Sequence, residues 1–249
     1  MDIAVLVPTY NERDNLAVLA RRVLAYPGYR MLVIDDASPD GTGELAEALK
    51  REWPGRLDVL HRPGKDGLGR AYVAGMQRAL AEAPDLICQM DADGSHDAAD
   101  LPRLVEAARD CDLVIGSRYA PGGELVGWPR RRAALSRAGN AYVRLAMRMP
   151  IRDSTAGLRC WKPATLAGIS LETVRSNGYA FQVEMAYRTV MIGGRVREIP
   201  IRFTDRTRGT SKMSSGVILE AIALPWRVRA SASRLQALSR TVSSESGRR

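Results

Sequence analysis

The sequence is poor in the residues that build disulfide frameworks and zinc sites, with three cysteines and two histidines among 249 residues. The cysteines, at positions 88, 111 and 160, are odd in number and far apart, and none belongs to a close C-x-x-C pair. This spacing disfavours structural disulfides and zinc, and it fits a reducing cytosol. Cys88 lies in the apolar run 86–90, where we expect a small buried side chain. Neither histidine has a partner that the sequence identifies.

Long apolar runs and aromatic side chains are also scarce. No stretch approaches the ~20 consecutive apolar residues that span a bilayer, and aromatic residues make up 6% of the chain. The N-terminus runs directly into the apolar stretch 3–7 without a preceding basic region, which predicts a first strand rather than a signal peptide. The low aromatic content and the lack of a recognisable binding module disfavour nucleic acid as a partner.

Acidic and basic residues are unevenly divided between the two halves of the chain. Residues 1–110 contain 13 Lys/Arg and 19 Asp/Glu, whereas residues 111–249 contain 24 and 9, for a net charge of +9. The acidic first half suggests sites for cations. The basic second half suggests an anionic partner, which is nucleic acid, a membrane surface or a phosphorylated substrate.

Short apolar runs alternate with segments of helical periodicity. The predicted buried strands are 3–7, 31–34, 57–60, 86–90 and 113–116. The predicted helices are 15–25, 44–52, 71–83 and 101–108, followed by a basic helix at 130–148, a helix at 181–192 and a strand-like segment at 196–203. This alternation predicts an α/β fold with a mostly parallel central sheet.

Polar clusters follow four of the predicted strands. They stand at 8–12, 35–36, 91–93 and 117–119. Ligands of such sheets bind beyond the carboxyl ends of the strands. One cluster alone would be typical of a solvated turn, but four at one edge of a sheet indicate a ligand site.

Asp91 and Asp93 form the strongest motif, because D-A-D directly follows a predicted strand. Two carboxylates in this spacing can both bind one octahedral Mg²⁺ or Mn²⁺, which then bridges the phosphates of a nucleotide. The alternative is a turn whose aspartates cap helices, a role that we expect for Asp97 and Asp100 downstream. The position at the end of a strand favours the metal site.

Asp35 and Asp36 end a second buried strand. A carboxylate there can accept hydrogen bonds from a ribose or a base N–H, and the alternative is a loop cap, which the turn-forming residues 38–41 support. The pattern G-x-G-x-x-A at 41–46 matches a dinucleotide fingerprint. However, it follows the second strand and not the first, and the neighbouring aspartates would repel a pyrophosphate. We therefore interpret it as a turn and a helix start.

Three cationic side chains are candidate phosphate ligands: Arg118, Arg206 and Lys212. A leaving diphosphate requires positive charge, and the polar segment 205–212 is suited to fold over a site. The arginines between 130 and 148 form one basic face. It would contact an acceptor phosphate, anionic lipid heads or, as the disfavoured third option, nucleic acid, and the alternative is a face exposed only to solvent. Residues 217–226 suit either an amphipathic helix on a membrane or a helix packed on the core.

Together these motifs resemble those of family 2 glycosyltransferases. They are V-P-T-Y-N-E at 7–12, I-D-D-A-S-P-D-G-T at 34–42, G-L-G at 67–69, M-D-A-D-G-S-H at 90–96 and G-S-R-Y at 116–119. Further motifs are similar to those of dolichol- or polyprenol-phosphate mannosyltransferases, as in actinobacteria: W-P-R-R at 128–131, T-A-G at 155–157, G-Y-A-F-Q at 178–182 and S-K-M at 211–213. The resemblance covers residues 3–213.

The resemblance implies a nucleotide-sugar-binding domain of GT-A type, with a Rossmann-like α/β fold. It implies transfer of mannose from GDP-mannose to a polyprenyl phosphate with inversion, assisted by Mg²⁺ or Mn²⁺. The implied donor-binding residues are Pro8, Tyr10, Glu12, Ile34, Asp36, Asp91, Ala92, Asp93, Arg206 and Lys212, of which Asp91 and Asp93 hold the metal. The implied acceptor-phosphate residues are Arg118, Arg131 and Ser136, and the implied catalytic residues are Asp91, Asp93 and Arg118.

On this basis we expect one domain over residues 1–238 and a disordered tail at 239–249. Residues 1–117 form the expected nucleotide-binding half, and residues 118–238 the half that faces acceptor and membrane. Some relatives carry Gln as a further metal ligand where Ser95 stands, and many carry membrane-spanning helices after the region matching Lys212. We therefore expect a peripheral protein on the inner face of the cell membrane, held by its basic face, its C-terminal helix or a partner protein.

Two other functions remain open at this stage. A related enzyme would transfer glucose from UDP-glucose to a polyprenyl phosphate, since base and sugar discrimination depend on the shape of a pocket. A protein of another class would bind membrane or nucleic acid without catalysis. The intact acidic clusters argue against that second alternative.

Overall fold

The computed structural model describes residues 1–205 together with Pro225, Trp226 and Val228. Its strands are β1 (Ile3–Thr9), β2 (Tyr29–Asp35), β3 (Leu57–His61), β4 (Leu86–Gln89), β5 (Leu113–Ser117), β6 (Glu124–Val126), β7 (Arg159–Trp161), β8 (Val196–Pro200) and β9 (Arg202–Thr204). Its helices are α1 (Arg13–Leu24), α2 (Thr42–Glu52), α3 (Leu68–Ala81), α4 (Leu101–Ala107), α5 (Arg130–Met147), α6 (Pro163–Gly168) and α7 (Gly178–Met191). Short 3₁₀ turns cover Ala98–Asp100 and Leu171–Thr173.

Parallel pairing dominates the seven-stranded main sheet, whose order is β3-β2-β1-β4-β7-β5-β8. Neighbouring strands are parallel from β3 to β4 and again between β5 and β8. Because β7 is antiparallel to both β4 and β5, those two strands also run in the same direction. The predicted α/β fold with a mostly parallel sheet is confirmed, and the carboxyl ends of β1, β2, β4 and β5 share one edge.

The central strand β1 divides the core into two layers. Its side chains alternate between the faces of the sheet, as the pleat of a strand requires. Ile3, Val5 and Val7 pack with the buried residues of α1, α2 and α4. Ala4 and Leu6 pack on the other face with those of α3, α5 and α7. With helices on both faces, every residue of β1 is buried, which explains why the sequence reads there as a continuous apolar run.

Short strands account for the main differences from the predicted elements. The periodicity does not predict β7, because its three residues begin with Arg159, whose charge interrupts the apolar pattern. The prediction of a single strand at 196–203 is wrong. It is divided at Ile201, so that β8 joins the main sheet while β9 pairs with β6 in a second sheet.

Predictions about local turns are partly confirmed. Asp97 caps the first 3₁₀ turn, since its Oδ1 accepts the N–H of Ala99 at 3.0 Å. The capping role predicted for Asp100 is wrong, because its carboxylate makes no capping bond and pairs with Arg103 instead. The G-x-G-x-x-A segment is a turn and helix start as predicted: Gly41 has a φ of 86° and immediately precedes α2.

Several predictions fall on residues that the structure does not describe. These are the phosphate ligands Arg206 and Lys212, the helix at 217–226 apart from Pro225 and Trp226, and the tail at 239–249. Within the described part of the chain, no helix has the length and apolar character needed to cross a bilayer.

Candidate active site

The ends of β1 and β2 bring together side chains predicted to contact a nucleotide. Pro8 and Ile34 are partners in the β1–β2 ladder. The side chain of Ile34 is buried against Gly75 of α3, which leaves its backbone as the part available to a ligand. The half-buried ring of Tyr10 has the ammonium group of Lys65 at 3.9 Å from its centroid.

Asp35 and Asp36 have different roles at the end of β2. Asp35 is a loop cap, because its carboxylate accepts the N–H and the hydroxyl of Ser38 at 3.1 and 2.6 Å and the hydroxyl of Thr9 at 3.1 Å. Asp36 instead forms an ion pair with Arg62, which follows β3. Burial raises the pKa of Asp36, although Arg62 acts in the opposite direction. Asp35 therefore serves the loop, and the role predicted for Asp36 in donor binding stays a prediction.

Glu12 stands just before α1 and connects the loops that follow β1 and β2. Its backbone N–H donates to the hydroxyl of Thr42 at 3.0 Å, and its Oε2 accepts a hydrogen bond from the side chain of Asn15 at 2.8 Å. The loop that carries Tyr10 is thereby fixed to the first turn of α2.

Asp91 is held in place from several sides. Its Oδ1 accepts a hydrogen bond from the hydroxyl of Tyr72 at 3.0 Å, and its Oδ2 lies 3.5 Å from Nε2 of His96. Gly157 approaches so closely that a Cβ atom there would lie 2.6 Å from Oδ2. Burial raises the pKa of Tyr72 well above its ordinary value, and the charge of Asp91 raises it further. The phenol therefore stays protonated and remains a donor to Asp91.

Asp93 is oriented by the turn that it begins. Its Oδ1 accepts the N–H of Ser95 at 3.0 Å, and its side chain is mostly buried, as is that of Ala92. The hydroxyl of Ser95 and both ring nitrogens of His96 are buried and make no hydrogen bond within residues 1–205. Buried polar atoms of this kind normally have a partner.

These residues fit a divalent ion. Asp91 and Asp93 supply the carboxylate oxygens that Mg²⁺ and Mn²⁺ prefer, and Mg²⁺ is usually bound by one or two carboxylates together with water and substrate phosphates. In the described ranges, no group of three His, Cys, Asp or Glu side chains is placed to hold an ion by itself. Water and substrate phosphates are the further ligands that such a site takes.

Arg118, which follows β5, is buried in an ion pair with Asp153. Asp153 accepts hydrogen bonds from Nε at 2.8 Å and from Nη2 at 2.6 Å, and Nη2 also donates to Thr155 at 2.8 Å. Burial alone would lower the pKa of Arg118, but Asp153 raises it above its ordinary value. The guanidinium is therefore a permanent cation inside the protein.

The other predicted acceptor residues lie on α5. The hydroxyl of Tyr119 donates to the hydroxyl of Ser136 at 2.7 Å, which brings Ser136 next to the residue that follows Arg118. Arg131 is exposed in the first turn of the helix. The structure thus brings Arg118 and Ser136 together and leaves Arg131 at the surface.

Residues 153–157 connect the cationic and the acidic parts of the site. Asp153 binds Arg118 at one end of this segment, and Gly157 contacts Asp91 at the other. Arg159 supports the segment from inside the core, where it donates to the carbonyls of residues 154, 156 and 182 at 2.7–2.9 Å. Burial lowers the pKa of Arg159 to about 9.

Sequence reasoning missed three side chains at this site: Tyr72, His96 and Asp153. His96 carried a signal, since it stands three residues after Asp93 in the same motif. Tyr72 has the helical spacing of an ordinary core residue, and its hydroxyl group was the only hint of a second role. Asp153 lies between α5 and the unpredicted β7, where no periodicity marks it.

Comparison with known families identifies the chain. The family model described as glycosyl transferase family 2 matches residues 4–166, which is more than half of the sequence. The chain belongs to glycosyltransferase family 2. The acidic cluster after β4 and the carboxyl ends of β1 and β2 fall inside the matched region.

This glycosyltransferase has relatives that match it over nearly their whole length. It is 47% identical over 223 residues to an undecaprenyl-phosphate mannosyltransferase from Micrococcus luteus, covering 89% of this chain and 91% of the relative. It is 45% identical over 229 residues to a polyprenol monophosphomannose synthase from Mycolicibacterium smegmatis, covering 90% of this chain and 86% of the relative.

Solved structures confirm the predicted fold. The glucosyl-3-phosphoglycerate synthase of Mycobacterium tuberculosis, crystallised with Mn²⁺, UDP and glucosyl-3-phosphoglycerate, matches with a TM-score of 0.63 and 18% identity, covering 92% of this chain and 78% of that one. Its complex with Mn²⁺, UDP-glucose and phosphoglyceric acid gives the same TM-score. At this identity the likeness shows the fold alone, which is of GT-A type with a mostly parallel central sheet.

Proposed function

We propose that this glycosyltransferase moves mannose from GDP-mannose to a polyprenyl phosphate with inversion at the sugar. The two curated relatives act on polyprenyl phosphates by name, and they match this chain almost end to end. The observation that carries the proposal is the segment 153–157, which contacts both the carboxylate Asp91 and the buried cation Arg118. A donor diphosphate with its metal and an anionic acceptor thus have adjoining sites of suitable charge.

The acceptor needs no general base. A phosphate monoester has its second pKa near ~6 and is already an anion at neutral pH. An oxygen of the acceptor phosphate forms a bond to the sugar C1 while the bond from C1 to the diphosphate oxygen breaks, and the electron pair leaves with GDP. A single displacement of this kind converts the α linkage of the donor to β. Arg118 and Ser136 would hold the acceptor phosphate in line for this attack.

Asp91 and Asp93 would hold the divalent ion. When bound, the ion neutralises the charge that develops on the leaving diphosphate. Tyr72 keeps Asp91 in one orientation through its hydrogen bond of 3.0 Å, so that the carboxylate is organised before the donor arrives. Asp36 and Tyr10 would contact the nucleoside at the ends of β2 and β1.

A transfer assay tests this proposal. Purified protein is incubated with a polyprenyl phosphate, Mg²⁺ or Mn²⁺ and either GDP-mannose or UDP-glucose, each labelled in the sugar. We expect labelled lipid from GDP-mannose only, loss of transfer on adding a chelator, and a β-linked product by NMR. Preference for UDP-glucose would make the protein a glucosyltransferase, and a protein that binds no nucleotide sugar in the presence of metal would be non-catalytic.

The membrane surface is the second partner that we propose, at the inner face of the cell membrane. Helix α5, which carries Ser136, is 18 residues, or about 27 Å, long. It presents exposed arginines along its length: Arg130, Arg131, Arg137, Arg144 and Arg148. Leu145 projects among them with 72% of its surface exposed. A basic face with apolar side chains is typical of helices that lie on anionic lipid.

Neutralising part of this face should weaken membrane binding. Changing Arg137, Arg144 and Arg148 to Gln is expected to lower affinity for anionic liposomes on the order of 10²-fold, since each arginine near such a surface contributes about 1 kcal/mol. The measurement is co-sedimentation with vesicles containing or lacking anionic lipid. The matched control changes the exposed Arg21, Arg22 and Arg51 to Gln, and an equal loss in that control would mean that only total charge matters.

A further inference from the structure

Asp153 is a fully buried carboxylate whose oxygens accept hydrogen bonds from two neighbours, Arg118 and Thr155. Its Oδ2 accepts the backbone N–H of Arg118 at 2.9 Å and the Nε–H of the same residue at 2.8 Å. Its Oδ1 accepts Nη2–H of Arg118 at 2.6 Å and the hydroxyl of Thr155 at 3.3 Å. Because each oxygen accepts two hydrogen bonds, Asp153 has no lone pair left to act as a base toward a substrate.

These hydrogen bonds use the N–H groups on Nε and Nη2 of Arg118 and leave those on Nη1. A guanidinium has five N–H groups in a rigid plane. The group on Nε and both on Nη2 are used by Asp153 and Thr155. Within the described part of the chain, Nη1 of Arg118 makes no hydrogen bond, so its two N–H groups are the ones that can receive a ligand.

Aromatic rings enclose the guanidinium and restrict its movement. The centroids of Tyr119, Trp128 and Phe203 lie 5.3, 5.6 and 5.4 Å from the central carbon of Arg118. Contacts of this type are attractive for a cation. Because the ion pair fixes one edge of the plane and the rings surround it, Nη1 can point in only one direction.

Asp153 is itself anchored by two other elements. Glu198 of β8 accepts the backbone N–H groups of Arg152 and Asp153, each at 2.8 Å. Asn140 of α5 donates to Thr155 at 3.0 Å and accepts from Ser154 at 3.1 Å. The carboxylate is therefore fixed relative to the sheet and to the helix that carries Ser136.

We propose that Asp153 is the positioning residue of the acceptor site: it acts through Arg118, whose Nη1 edge it directs at the acceptor phosphate. This inference rests on the proposed function, and it adds a residue, Asp153, and a named atom, Nη1, to that site. Asp153 touches neither donor nor acceptor. Its removal should therefore affect binding of the acceptor phosphate and leave binding of the nucleotide sugar unchanged.

The first test measures acceptor and donor separately in Asp153→Asn, which keeps the shape of the side chain and removes its charge. A water-soluble short-chain prenyl phosphate serves as the acceptor, with calorimetric binding and steady-state kinetics as readouts. We expect the Kd and KM for the prenyl phosphate to rise on the order of 10-fold, because a freed guanidinium no longer presents Nη1 in one direction. The Kd for GDP-mannose with metal should stay at the wild-type value. A folded Asp153→Asn protein that binds the prenyl phosphate as the wild type does would overturn the inference.

A double variant separates an effect of Asp153 through Arg118 from an effect on the rest of the site. Arg118→Met should weaken prenyl phosphate binding, and adding Asp153→Asn to it should cause no further loss, since the partner through which Asp153 acts is already gone. Losses that multiply in the double variant would show that Asp153 acts by another route.

Folding and the proposed function each need their own control. Removing one partner of a buried ion pair is destabilising, so if Asp153→Asn does not fold, Thr155→Val takes its place: it keeps the ion pair and removes the hydroxyl that also fixes Nη2. A small rise in the Kd of the prenyl phosphate alone supports the inference, and an unchanged Kd contradicts it. If the wild-type protein binds no prenyl phosphate, the proposed acceptor is wrong and the inference fails with it. If the wild type binds and the folded variants bind equally well, the inference fails alone.

Discussion

Asp93→Ala is expected to reduce sugar transfer about 10³-fold while the protein stays folded, since a metal that stabilises a leaving group contributes several kcal/mol and each 1.4 kcal/mol is a factor of ten. Asp93 and Asp91 are the two carboxylates at the carboxyl end of β4, and the fit of this site to Mg²⁺ or Mn²⁺ depends on both. Without Asp93 a single carboxylate remains to bind the ion and the diphosphate attached to it.

We expect the fold to tolerate the loss of the backbone hydrogen bond that Asp93 accepts. Its Oδ1 accepts one backbone hydrogen bond, from Ser95 at 3.0 Å, and losing such a bond typically costs about 1 kcal/mol. Asp97→Ala is the matched control, because Asp97 also accepts a single backbone N–H at 3.0 Å but is exposed and lies outside the metal site.

The measurement is the initial rate of transfer as a function of Mn²⁺ concentration, with circular dichroism to establish that each variant is folded. Asp97→Ala should lose some thermal stability through its missing cap and keep near-normal turnover. If folded Asp93→Ala turned over at the wild-type rate, Asp93 would have no part in holding a metal.

The edge of the sheet that carries the proposed donor site could be predicted from the sequence because it depends on two strong local signals. Apolar runs that end in polar clusters mark β1, β2, β4 and β5, and parallel pairing then brings the clusters to one edge. The order of the strands does not enter this reasoning, and for that reason the missed strand β7 did not disturb it. Asp91 and Asp93 were predicted on these grounds alone.

The acceptor side could not be predicted in the same way, because it depends on contacts between distant residues. Arg118 was predicted as a phosphate ligand, but its burial against Asp153, 35 residues away, was not predicted. Nothing in the sequence around Asp153 indicates this partner, since β7 follows it as three residues without periodicity. The place of β7 between β4 and β5 is what positions residues 153–157 across the site.

The segment 153–157 also explains a glycine that the sequence shows only as part of T-A-G. A Cβ atom at Gly157 would lie 2.6 Å from Oδ2 and 3.3 Å from Oδ1 of Asp91. The distance to Oδ2 is too short for carbon and oxygen, so one of the two residues has to move. The end of an aspartate side chain moves more easily than the backbone of a segment that Arg159 fixes through two of its carbonyls. The displaced atoms would therefore be the proposed metal ligands.

Gly157→Ala is accordingly expected to impair catalysis far more than stability. Turning Asp91 away from the added methyl group breaks its hydrogen bond to Tyr72 and misplaces the carboxylate, for which we expect a loss in turnover on the order of 10²-fold. The Mn²⁺ concentration needed for half-maximal activity should rise ~10–100-fold, which is the usual effect of disturbing the groups that support a metal ligand. Gly168→Ala is the matched control, because a Cβ there meets only the flexible tip of Ile192, at 3.3 Å. Both variants should unfold within a few degrees of the wild type in a thermal melt.

A Gly157→Ala protein with the normal Mn²⁺ requirement would show that Asp91 accommodates the methyl group without leaving the metal. The contact between residues 153–157 and the acidic cluster would then have no part in catalysis.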